Sequence, residues 1–302
     1  MNPTRLAVLA LAALSVSACA DTPRPDGEVG RLEVAAAFYP YQFLAERVGG
    51  DQVEVTGLTK PGGEPHDLEL TPQQVGGLGA ADLVVYAAGF QPAVDDAVAA
   101  EAAGTAFDVN TVAPLADGYV PLEDGELVPQ DQGEDPHVWL DPIRYAGIGT
   151  ALAERLAQLR PEAASGFQQR ATALEAELRA LDEDFTSGLK TCERREIVTS
   201  HNAFGYLADR YALEQVAVTG LTPGDEPTPR RLAEVAQLAT ARGVTTIFFE
   251  ELVSPRTAQS LAREVGAQAV VLSPLESAPE DGDYLSAMRA NLAALQQALG
   301  CR

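Results

Sequence analysis

From residue 32 the chain alternates short apolar, β-branched runs with stretches whose apolar positions recur every three or four places. LEVAAAF, from Leu32, predicts a strand, Tyr41 to Val48 a helix, and QVEVTGL a second strand. A Gly/Pro loop follows, then a helix from Thr71, the strand DLVVYA and a helix near Pro92 to Ala103. The pattern returns after residue 190. There REIVTS, QVAVTG, VTTIFFE and AVVLS predict strands, separated by helices that include Thr228 to Arg242 and one from Ser254. Such alternation implies an α/β fold of two similar lobes, 32–160 and 190–302, with parallel sheets covered by helices. Between them, 161–189 has no proline after Pro161 and carries Phe167, Ala171, Leu174, Leu178, Leu181 and Phe185 at steps of three and four. That spacing predicts one long amphipathic helix linking the lobes. The segment 118–135, with six acids and two prolines, reads as a surface loop.

The amino terminus adds a location. Arg5 precedes a 13-residue apolar run, 6–18, which ends in Val16-Ser17-Ala18 before Cys19. The run is too short to span a bilayer stably and reads as an export signal, 1–18. Small residues before a cysteine resemble a bacterial lipobox, which makes Cys19 the expected lipidation site and 19–31, rich in Pro and Gly, a flexible tether. Losing Arg5 with the signal shifts the net charge from −23 to −24, so nucleic acid is not an expected partner. In an exported protein a disulfide persists, and the two remaining cysteines, Cys192 and Cys301, both fall in the second lobe and are expected to pair.

Candidate chemistry centres on the chain's three histidines. His66 lies in KPGGEPHDLELTP, His137 in EDPHVWLDP and His201 in REIVTSHNAFGY, each in a predicted connection where open α/β sheets place their ligands. Pro65 and Pro136 each precede a histidine and restrict the backbone that presents it. Asp67 and Asp141 are candidates to accept the other ring N–H of the imidazoles, the contact that sets the tautomer of a metal-bound histidine. The long separations rule out a local zinc finger.

These segments, with GDEPTPRRL, IFFEELVSP and LSPLESAPEDGDYLSAMRANLAAL, resemble the metal-specific solute-binding lipoproteins of bacterial ABC transporters, the group serving zinc and manganese. The resemblance runs from about Val34 to the end. It implies two α/β lobes joined by a long helix, with a metal site in the cleft between them. It carries the ligand roles onto His66, His137 and His201, and its zinc-type LxPLE motif carries a fourth onto Glu276. Glu250 and Glu251 are the competing acids. Manganese-type relatives use an aspartate where this chain has proline, within LSPLES. Three imidazoles and one carboxylate also suit four-coordinate Zn²⁺ better than Mn²⁺, which prefers more oxygen.

The expectation is therefore a monomeric, exported zinc receptor, lipid-anchored to the outer face of the cytoplasmic membrane or periplasmic, that hands one Zn²⁺ to an ABC permease. A manganese receptor is the alternative. A metallohydrolase is a weaker one, because the chain has no HExxH pair, and a metal-free adhesin leaves the histidine motifs unexplained. The chain departs from the family in one respect: many zinc-type members carry a histidine-rich loop where 118–135 has none.

Overall fold

The computed structural model describes residues 30–122 and 126–302. The export signal, Cys19 and all but the end of the tether lie outside the described residues.

The first lobe begins with strand β1 (Leu32–Ala36), helix α1 (Tyr39–Gly49) and β2 (Val53–Gly57). It continues through α2 (Pro72–Ala80), β3 (Leu83–Tyr86), α3 (Pro92–Ala97) and the short β4 (Ala106–Asp108). These strands form one parallel sheet in the order β2-β1-β3-β4. Helix α2 starts where its residues demand: Thr71 accepts the Gln74 N–H, Gln74 returns the bond to Thr71 N–H, and Pro72 occupies the first turn, where no amide donor is needed.

Next come β5 (Ala116–Leu122) and β6 (Glu126–Asp135), paired antiparallel. Here the structure corrects the expectation of a loop over 118–135. Proline suggested irregular chain, but in a two-stranded ribbon every strand is an edge, and Pro121 and Pro129 are tolerated there.

Helix α4 (Pro142–Leu159) and the 25-residue α5 (Ala164–Gly188) pack together and lead into the second lobe. All six apolar positions predicted for the linking helix, Phe167 through Phe185, are buried. The second lobe comprises β7 (Glu196–Thr199), α6 (Gly205–Arg210), β8 (Glu214–Ala217), α7 (Pro229–Ala241), β9 (Thr246–Phe249), α8 (Arg256–Val265), β10 (Gln268–Val271) and α9 (Tyr284–Leu299). Its parallel sheet has the order β10-β9-β7-β8. In each sheet the first strand lies between the second and the third, with the fourth beyond the third, so the lobes share one topology.

The linking helix is not the sole connection. At the amino end of α9, Tyr284 donates to the Trp139 carbonyl and stacks near Tyr145 and Phe43 of the first lobe, at 4.5 and 5.6 Å. Its far end is tied to the start of β7 by a Cys192–Cys301 disulfide. One hydrophobic cluster consequently runs from β1 through α4 and α5 to α9, and a smaller one lies beneath α7 and α8.

Candidate metal centre

Each histidine is delivered by a connection that other residues hold in place. The His66 loop follows β2, and its Pro65 carbonyl accepts from the buried Gln91 amide at 3.0 Å. His137 follows β6, and His201 comes two residues after β7. The His201 carbonyl accepts from Thr199 Oγ1 at 2.8 Å and from Gln215 Nε2 at 3.2 Å. Glu276 follows β10 on a loop pinned from both lobes. Trp139 Nε1 donates to the Pro274 carbonyl at 2.7 Å, while Asn291 of α9 makes two bonds to the Ser273 backbone. Leu275, just before the acid, sits in the left-handed region at φ 59°, a strained turn that aims Glu276 inward.

The four side chains converge. Glu276 Oε1 lies 3.2 Å from His66 Nε2, 3.2 Å from His137 Nε2 and 3.6 Å from His201 Nε2, and the last two nitrogens are 3.3 Å apart. Donors ~2.0–2.1 Å from a tetrahedral zinc lie ~3.3–3.4 Å from one another, so these four distances match edges of such a tetrahedron. Among the described residues, this is the set of His, Cys, Asp and Glu whose ligand atoms group closely enough to hold an ion. Their burial is nearly complete: His137 and His201 are 0% exposed, Glu276 1% and His66 8%. Phe90 stands against the His66 ring at 4.6 Å and Trp139 against His137 at 5.1 Å, an apolar wall that keeps water from competing.

Protonation reflects this crowding. Burial opposes a charge on His201, yet Glu250 and Glu276 outweigh it and raise its pKa to about 10. His137 is likewise raised, with burial overcome by hydrogen bonds to Asp135 and Glu276. Burial prevails at His66, which falls below the ordinary value. Glu276 is held well below the carboxylate range because, against its burial, three imidazoles donate to it. Burial and the neighbouring Glu276 push Glu64 up to about 7.

The carboxylates that meet the outer ring nitrogens are not the expected pair. Asp135 Oδ1 lies 2.7 Å from His137 Nδ1 and also accepts the His137 backbone N–H at 2.9 Å. Glu250 Oε1 lies 2.6 Å from His201 Nδ1, close but out of line for a well-directed hydrogen bond, and takes the Ser200 hydroxyl. Asp141 instead caps α4, accepting from the Ile143 and Arg144 N–H groups, because a helix start leaves those donors unsatisfied. Asp67 is exposed and meets none of the imidazoles. A local signal for Asp135 exists in the acid-Pro-His spacing that EPH and DPH share, for Glu64 accepts the His66 N–H at 3.0 Å in the same way. Of the competing acids, Glu250 is buried beside His201 and Glu251 is exposed.

Comparison with known proteins agrees with this geometry. The zinc-binding lipoprotein AdcA of Streptococcus pneumoniae serotype 4 is 33% identical over 98% of this chain and 61% of its own length. The chain thus spans less than two thirds of that relative. The high-affinity zinc uptake system protein ZnuA of Bacillus subtilis (strain 168) is 32% identical over 97% of both chains. The crystal structure of the Zn(II)-bound ZnuA-like domain of S. pneumoniae AdcA superposes with a TM-score of 0.74 at 32% identity, covering 89% of this chain and 99% of that one. The sequence model described as "Zinc-uptake complex component A periplasmic" matches residues 34–298, and the chain belongs to that family.

Proposed function

We propose that the chain is a receptor that captures one Zn²⁺ outside the cytoplasmic membrane and passes it to an ABC-type importer. The observation that carries this reading is the convergence of His66, His137, His201 and Glu276 at tetrahedral edge distances. Imidazole nitrogen and a single carboxylate oxygen suit zinc, and manganese, which takes more oxygen donors, is the weaker cargo. Four protein donors complete a tetrahedron and leave no open position for a substrate, which favours carriage over hydrolysis. The names of the pneumococcal and Bacillus relatives, a zinc-binding lipoprotein and a zinc uptake protein, support a Cys19 anchor and delivery to a permease.

A competition titration of Zn²⁺ against Mn²⁺ tests the reading. One Zn²⁺ binds per chain and displaces Mn²⁺. His66→Ala, His137→Ala, His201→Ala and Glu276→Ala each weaken zinc binding by more than about 100-fold, beyond the loss typical of outer partners. Asp67→Ala leaves affinity within about twofold. Manganese outcompeting zinc, or full affinity in any of the four variants, would remove the corresponding claim.

A further inference from the structure

Glu276 borders two cavities, which share Pro61 of the first lobe and Ser277 and Ala278 of the second. Between the lobes there, the Gly62 N–H donates to Ser277 Oγ at 2.7 Å. The smaller cavity, about 20 Å³, holds no more than a water or so and is bordered by Lys60, whose charge repels a cation. The larger, about 910 Å³, opens among exposed Glu251, Glu280 and Asp281. Glu276 also lines it, and Glu276 Oε2 is buried without a hydrogen-bond partner. Of the imidazoles, His137 and His201 are wholly buried and His66 is 8% exposed.

Resting on the zinc-receptor reading, we propose that the ion enters and leaves through the larger cavity. The Gly62–Ser277 hydrogen bond is the latch that closes it. The hydrated cation is concentrated at the mouth by Glu251, Glu280 and Asp281, and Glu276 Oε2 is the first buried donor it meets. The door is the segment 60–64, whose backbone turns through Gly62 at φ 73° with nothing within 4 Å of where a Cβ would stand. A local door fits the rest of the molecule. The hydrophobic cluster shared by the first lobe, α5 and α9 resists a hinge motion wide enough to expose the centre.

Stopped-flow measurement of zinc association, and of dissociation into a chromophoric chelator, tests both parts on the full-length protein. Ser277→Ala removes one hydrogen bond from the closed door and raises kon and koff together by about fivefold, with Kd within about twofold. Ser277→Thr keeps the hydroxyl and restores the wild-type rates. Neutralising the mouth with E251Q, E280Q and D281N together lowers kon roughly fivefold at low salt, and the gap closes at high salt. Unchanged rates in Ser277→Ala, or a rise in koff alone, overturn the latch. Wild-type kon in the neutralised variant overturns the portal. Zinc bound per chain at saturation, read on the same samples, separates the two claims: a wild type that binds no zinc refutes the receptor, whereas full occupancy with unchanged rates refutes only the gate.

Discussion

At the scale of single residues, two carboxylates outside the proposed ligand set stand against two of the imidazoles. Asp135 and Glu250 lie 2.7 and 2.6 Å from the Nδ1 atoms of His137 and His201, which leaves Nε2 to point inward in both rings. Gly205 is part of this arrangement, for a Cβ there would stand 2.6 Å from Asp135 Oδ2. Asp135→Asn and Glu250→Gln keep the shape but remove the charge that orients and enriches each imidazole, and each weakens zinc binding by about 10- to 100-fold. Equilibrium competition against a chelator of known affinity measures this; wild-type affinity in both variants would reduce the two acids to bystanders. The structure brings together the three histidines that the sequence singled out by their local motifs and Glu276, which only the family resemblance picked out from Glu250 and Glu251. Asp67 and Asp141 misled because adjacency in sequence says little about which face of a loop a carboxylate takes. Asp141 stands where a helix must be capped, and that local demand occupies its carboxylate with the Ile143 and Arg144 N–H groups.

At the scale of elements, the 25-residue helix was legible because its apolar positions recur without interruption from Phe167 to Phe185. Strand β4 was not. It is three residues long, and Ala-Phe-Asp carries too little pattern to separate it from the helix before it. The hairpin was hidden for a different reason, since proline and acid argue against a strand only when a second neighbour must be paired. Its base is nevertheless joined to the second lobe: the buried Tyr206 hydroxyl accepts from Ala116 N–H at 2.7 Å and donates to the Asp135 carbonyl at 2.8 Å. The acid that holds His137 is thereby clamped from both lobes. The Cys192–Cys301 disulfide works at the opposite end of β7 from His201, joining chain positions 109 apart. Replacing both cysteines by serine lowers stability by about 2–5 kcal/mol in denaturant unfolding while zinc affinity stays within about twofold. A large loss of affinity would show that the tie reaches the centre.

At the scale of the whole molecule, zinc and protons compete for the same buried space. His201, raised to about 10, stabilises the metal-free protein below its unfolded value near 6.5, and that contribution disappears as pH climbs towards 10. Zinc must therefore expel a proton across the neutral range. Its affinity rises with pH, and the rise in Tm that saturating zinc produces is larger at pH 8.5 than at pH 6. Titration calorimetry at pH 7, in buffers of different ionisation enthalpy, reads at least one proton released per zinc; no release would contradict the protonation scheme. The acidic surface, with a net charge of −23 over the whole chain, favours any small cation and so cannot by itself identify the cargo or where it binds. That decision belongs to the centre between the lobes. Anomalous diffraction at the zinc edge, from crystals of the zinc-loaded protein, tests it most directly. The account predicts one strong peak per chain, ~2.0–2.1 Å from the Nε2 atoms of His66, His137 and His201 and ~2.0–2.2 Å from a Glu276 oxygen. A principal peak on the acidic hairpin, or one at the centre that omits any of these four residues, would contradict it.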